Sequence, residues 1–242
     1  DSAFGICGRD WVIVCTDTSV NRSIFTLKHD DDKIMQLNQF KVLATTGERL
    51  IGISLEIDDE ELAAVGNQNG FEPSVEATAH FIRSEMAQSL RSRSPFQVNV
   101  LMGGYDQLEK QAKLYWMDYL GTLQQVTKGA HGYAGYFVNS VLDQHYREDM
   151  TVEQGLEACK ACIKELKTRF IINQPTFVAK IVTADQITEQ PLLAADIHEV
   201  RGEEATTHAP NFSHPIHKLT HKSLNKTLFI FHFQHHGVLG FW

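Results

Sequence analysis

No apolar run in this 242-residue sequence approaches the roughly 18–20 residues that cross a bilayer. Nothing at its start joins a basic stretch to an apolar core, so the chain reads as soluble and non-secreted. Basic residues are in deficit: 22 Lys and Arg against 30 Asp and Glu give a formal charge of −8. That balance lacks the basic footprint that nucleic acid or an anionic membrane attracts, and neither is expected as a partner. Cysteine is scarce. Cys7 and Cys15 sit in apolar strand-like runs and Cys159 and Cys162 share one helical segment, which points to buried, reduced thiols rather than a disulfide framework. Internal repeats and low-complexity tracts are missing too. A chain of this length can bury roughly 70–75% of the surface its unfolded form exposes, enough for one large domain.

What is present is ordered in blocks. AFGICG and WVIVCTD are apolar, β-branched runs separated by Arg9-Asp10, which predicts a hairpin. SIFTLK, KIMQL and Phe40 to Thr45 read as further strands, the last stopping at Gly47. A helix is predicted from Glu48 to Val65, ended by Gly66, Asn67 and Gly70. The next is clearer. Pro73 and Ser74 offer a start and an N-cap, Val75, Ala79, Ile82, Met86 and Leu90 form one stripe, and Pro95 implies an end near Arg93. Strands return in QVNVLMGGYD, KLYWMDYLG and TLQQV. Two helices follow, from Gly132 to His145 with Phe137, Val141 and Leu142 on one side, and from Thr151 with Leu156, Cys159, Ile163, Leu166 and Phe170 on one stripe. TFVAKIV is the last clear strand.

Strands, paired helices, strands, paired helices and a strand argue against an alternating parallel sheet. They fit an α+β fold, a four-layer α-β-β-α sandwich of antiparallel sheets covered by helices. Beyond about Asp196 the composition shifts: eight of the twelve histidines lie there, and the ending TLFIFHFQHHGVLGFW is apolar. The expected organisation is a domain over residues 1–195 and a C-terminal extension over 196–242. A dangling apolar end would aggregate, so the extension is expected to act, if at all, as an arm on a neighbouring chain.

The segments LRSRSPFQVNVLMGGYD, LYWMDYLGTL, AHGYAGYFVNSVLD and KELKTRFIINQPTFVAKIV resemble the beta-type subunits of the 20S proteasome. The resemblance runs from about Ala3 to Val182 and implies an N-terminal-nucleophile hydrolase fold. In active members, the resemblance implies, a threonine at position one attacks the peptide carbonyl, with its own α-amino group as the nearby base. An Asp and a Lys at sixteen-residue steps complete the electrostatics, and a glycine N–H serves the oxyanion.

This sequence keeps Asp17, Lys33 and Gly47 at that spacing, and the register then puts Asp1 where the threonine belongs. A carboxylate has no proton to give up at neutral pH and would pair with a lysine instead. Ser2 is one residue along a strand and points to the opposite face. Ala130-His131-Gly132 stands where active members carry Gly-Ser-Gly, and Arg169 to Asn173 lacks the Asp and Ser they carry after the last helix. Asp1, Asp17, Lys33 and Gly47 are therefore read as vestigial positions of a silent site.

The implied role is a non-catalytic building block of the seven-membered beta ring, touching ring neighbours, the adjacent alpha ring and the opposite beta ring. It would serve ubiquitin- and ATP-dependent protein degradation in cytoplasm and nucleus, with no cofactor and no metal. The competing reading is an active threonine-type endopeptidase, which the identity of residue 1 disfavours. A third is a metal-binding tail built on His208, His214, His217, His221, His232, His235 and His236, whose irregular spacing fixes no geometry. Cys159-Lys160-Ala161-Cys162 has no partner CxxC and reads as core packing. Asn211 and Asn225 match glycosylation acceptors only formally.

Overall fold

Trp11 to Asp17 is apolar at nearly every position, and the fold shows why an antiparallel strand can afford that pattern: both of its faces are buried. The computed structural model describes residues 1–22, 25–47 and 73–197. The helix expected over Glu48 to Val65 lies outside the described residues, as do 198–242 with the histidine-rich stretch and both formal acceptor asparagines.

The strands are β1 (Ser2–Cys7), β2 (Trp11–Asp17), β3 (Val20–Arg22), β4 (Phe25–Lys28), β5 (Ile34–Asn38), β6 (Lys41–Gly47), β7 (Val98–Asp106), β8 (Gln111–Met117), β9 (Leu123–Val126), β10 (Lys128–Gly132), β11 (Thr176–Thr183) and β12 (Ile187–Leu193). The helices among the described residues are α1 (Val75–Ser89), α2 (Gly135–His145) and α3 (Val152–Arg169). One five-stranded sheet has the order β10-β1-β2-β11-β12 and the other β5-β6-β7-β8-β9, while β3 and β4 form a separate pair. Among the described residues every strand pairing is antiparallel.

Three cores hold these elements. Phe4, Ile6, Trp11, Ile13 and Cys15 face Val138 and Leu142 of α2 and Cys159, Ile163 and Leu166 of α3. The alternate residues Ala3, Val12 and Val14 face Val42, Ala44, Leu101 and Leu114 of the second sheet. That sheet's other face, Leu43, Val100, Met102 and Tyr115, packs on Val75, Ala79, Ile82 and Met86 of α1. Two-sided burial turns the alternating pattern of an antiparallel strand into a continuous apolar run. These residues all belong to one compact unit, Asp1–Glu199.

The local signals act as the sequence implies. The Ser74 hydroxyl accepts the Ala77 N–H at 3.1 Å and caps α1. Thr151 caps α3 through a reciprocal exchange with Gln154. In the first hairpin, Gly8 N donates to the Trp11 carbonyl at 2.9 Å across Arg9-Asp10.

Three expectations are corrected. The helix expected from Gly132 begins at Gly135, because 128–132 are drawn out as β10 along the open edge of β1, with Ser2 opposite Gly132 and Phe4 opposite Ala130. Its buried face is Val138 and Leu142, with Phe137 and Val141 only half-covered. TFVAKIV is not the last strand either, since β12 pairs along the whole of β11, from Thr176 opposite Leu193 to Val182 opposite Ile187.

Candidate functional site

Four strand ends converge at one edge of the fold. Antiparallel pairing of β1 with β2 sets Ala3 opposite Thr16, which brings the start of β1 against Asp17 at the end of β2. Asp17 is fully buried, and its carboxylate accepts three hydrogen bonds. They come from Ser2 N at 2.6 Å, Ser19 N at 3.2 Å and Lys33 Nζ at 3.0 Å. Such a carboxylate is tolerated in the interior because a charge and two amide donors replace its water.

Lys33 enters from the residue before β5, with a side chain only 4% exposed. Its Nζ lies 2.7 Å from Asp1 Oδ1, 3.0 Å from Asp17 Oδ2 and 2.8 Å from the Ser19 carbonyl. Each of these distances is within hydrogen-bond reach of an ammonium N–H. The second Asp1 oxygen, Oδ2, accepts the Gly47 N–H at 3.4 Å. The structure thus brings together all four residues singled out in the sequence, Asp1, Asp17, Lys33 and Gly47.

Two glycines allow the approach. Gly47 has φ +134°, and a Cβ there would lie 2.1 Å from the Gln97 carbonyl oxygen. Gly132 at the end of β10 has φ +70°, and a Cβ there would lie 2.3 Å from the Asp1 carbonyl oxygen. A side chain at Gly132 would press on the Asp1 backbone, and one at Gly47 would press on the neighbouring strand at Gln97 and shift the end of β6.

Ser2 points away, as strand alternation requires. Its Oγ lies 3.0–3.1 Å from the Gln174 side-chain amide, on the other side of β1 from Lys33. Gln174 is a buried residue that the sequence reading did not single out. It stands one residue beyond the stretch Arg169 to Asn173, where Arg169 pairs with Glu165 and Ile171 is fully exposed.

His131 proves to be structural. It is buried, its Nε2 lies 2.9 Å from the Val100 carbonyl, and its ring stacks on Trp116 at 4.5 Å. It therefore ties β10 of one sheet to β7 and β8 of the other. Burial pushes its pKa down to about 4, so the ring is neutral and donates from Nε2 to the carbonyl. Trp116 Nε1 in turn donates to the Ala130 carbonyl at 3.2 Å.

All four cysteines are buried thiols. Burial pushes Cys7 up to about 12 and holds Cys162 well above the usual thiol range. Among the described residues no group of three His, Cys, Asp or Glu side chains is placed to hold a metal ion, and no helix is long and apolar enough to cross a membrane.

Chemically, the arrangement is an ion-paired carboxylate held where a lysine and a backbone N–H converge. Ser2, the hydroxyl nearest to position one in the sequence, is committed to Gln174 and does not take the place beside Lys33.

The family profile described as proteasome subunit matches residues 1–182. Proteasome subunit beta type-2-B of Arabidopsis thaliana is 42% identical over 190 residues, covering 78% of this chain and 94% of the relative. Proteasome subunit beta type-4 of Saccharomyces cerevisiae is 40% identical over 190 residues, covering 78% and 96%. Proteasome subunit beta type-2 of Oryza sativa subsp. japonica is 37% identical over 190 residues, covering 78% and 89%. With the profile spanning most of the chain and relatives near 40% identity covered almost end to end, this chain belongs to the proteasome subunit family.

Proposed function

We propose that the chain is a non-catalytic, structural beta subunit of the 20S proteasome core particle. The observation that carries this reading is the Asp1 carboxylate, ion-paired to Lys33 at 2.7 Å in the place where an active member needs a free hydroxyl. A carboxylate so held is already deprotonated and has no activated O–H to offer a peptide carbonyl. Asp17 and Lys33 then act as a buried charge pair that anchors β1, with no acid or base role. The competing reading, an active threonine-type endopeptidase, has the lysine, aspartate and glycine N–H in its favour and no nucleophile.

In this proposal the fold is the four-layer α-β-β-α sandwich of the N-terminal-nucleophile hydrolases. Helices α2 and α3 on one sheet and α1 on the other support it. The subunit occupies a seven-membered beta ring, against the adjacent alpha ring and the opposite beta ring. There it encloses the chamber used in ubiquitin- and ATP-dependent degradation, in cytoplasm and nucleus. Residues 1–195 form the ring-building domain and 196–242 an extension. Exposed Tyr133, Tyr136 and Ile171 beside α2 and α3 are the kind of apolar surface that a neighbouring subunit covers.

The test is peptide hydrolysis by the separated full-length chain. It should show no turnover above a buffer blank; turnover that disappears when Asp1 or Lys33 is replaced would overturn the reading.

A further inference from the structure

Gly47 N and Lys33 Nζ aim at the two oxygens of one carboxylate, Oδ2 and Oδ1 of Asp1. They come from different strand ends, and neither depends on Asp1 for its position. The lysine is fixed by Asp17 and the Ser19 carbonyl. The glycine is fixed by β6, whose last pairing is Gly47 with Val98. The two donors thus form a cradle that meets a carboxylate by charge and by two separate donors, the Gly47 contact being the longer at 3.4 Å, and the chain fills it with its own side chain. The Asp1 side chain is 25% exposed, so the cradle is not sealed from solvent.

We propose that this end of the fold is a small-monocarboxylate binding site occupied in cis, with Asp1 as an internal ligand that keeps external carboxylates out. The proposal rests on the structural, non-catalytic reading of Asp1 and deepens it: the same contact that removes the nucleophile also closes the site as a binding site. Size follows from the covalent structure. An aspartate side chain is a Cβ carrying a carboxylate. Asp1→Ala keeps the Cβ and leaves room for formate, whereas Asp1→Gly removes it and leaves room for acetate.

Shortening Asp1 takes one acceptor from the Lys33 ammonium and the acceptor from the Gly47 N–H. Water can fill such a space, but only an anion restores the second of the two negative charges that Lys33 faces, the first being Asp17. Formate should therefore displace it and acetamide or formamide should not. The extra methyl of acetate, pressed against the Cβ of Ala, should weaken binding about tenfold relative to formate.

The experiment is a titration of the purified full-length chain with sodium formate, acetate, formamide and chloride at constant ionic strength, which removes general screening. Thermal unfolding and binding of 13C-labelled ligand are both read. Asp1→Ala should be stabilised and bound by formate in preference to acetate, and Asp1→Gly by acetate. The unaltered chain, in which both donors already hold a carboxylate, should respond to neither. Overturning results are equal responses to carboxylate and chloride, no response in either shortened variant, or an equal response in the unaltered chain. If one shortened variant fails to fold, the other decides with the ligand its size admits, and saturable formate binding to the unaltered chain contradicts a filled cradle. None of these readouts involves turnover, so failure here leaves the non-catalytic reading standing, and peptide turnover by the unaltered chain would leave the carboxylate site standing.

Discussion

Lys33 Nζ stands 2.7 Å from Asp1 Oδ1 and, on its other side, 3.0 Å from a fully buried Asp17. Two carboxylates thus share one buried cation, and the three strand ends that carry them are held at one point. A buried ion pair adds little net stability compared with an apolar replacement, yet breaking it from one side is costly.

Lys33→Ala should accordingly destabilise the full-length chain by about 3–5 kcal/mol, because it strands Asp17 in the interior. Adding Asp17→Asn should recover part of that loss, since the remaining group is then neutral. Denaturant unfolding of the two single variants and the double variant measures the coupling. Additive losses would show that the pair is not coupled.

His131 predicts a pH dependence. Its folded pKa is pushed down to about 4 from an ordinary 6.5, so the unfolded chain binds the proton first as pH falls. The neutral ring contributes its full stability above 6.5; that contribution is lost progressively between 6.5 and about 4, up to about 3 kcal/mol in all. Carboxylates titrate in part of the same window, so the comparison is with His131→Gln, which has no titrating ring. The slope of stability against pH should be shallower in the variant by close to one proton. Equal slopes would remove His131 from the account.

The elements with strong local chemistry were legible. Ser74 and Thr151 marked the starts of α1 and α3, and the stripes of Val75 to Met86 and Cys159 to Leu166 faced the core as their spacing implied. β10 was not. Lys128-Gly129-Ala130-His131-Gly132 has no β-branched residue, and it is a strand only because β1 offers it an edge. β12 was hidden in a similar way by Glu189, Gln190 and Pro191, residues that suit an edge strand and blur any apolar alternation. In the site, Asp17, Lys33 and Gly47 emerged from resemblance and spacing. Gln174 could not, because its partner Ser2 is 172 residues away and nothing local marks it.

The thiols should be inert in the folded chain. Cys7 is raised to about 12 and Cys162 is raised by burial, so almost no thiolate exists near neutral pH. Iodoacetamide at about pH 8 should modify the four cysteines slowly in buffer and quickly in denaturant, read by mass. Rapid labelling of Cys159 or Cys162 in buffer would mean that the layer between α3 and β2 opens readily.

Restoring one atom set should not restore chemistry. Asp1→Thr alone should give no adduct with a threonine-directed epoxyketone, because His131 and the Arg169 to Asn173 stretch would still differ from the pattern of active members. A mass shift on the variant would show that Asp17, Lys33 and Gly47 suffice for activation.

The central claim is tested most directly by treating assembled particles with the same epoxyketone and measuring the intact mass of this subunit. The account predicts an unmodified chain even when sister subunits are fully labelled. An adduct on this chain, mapped to its first residues, would contradict it.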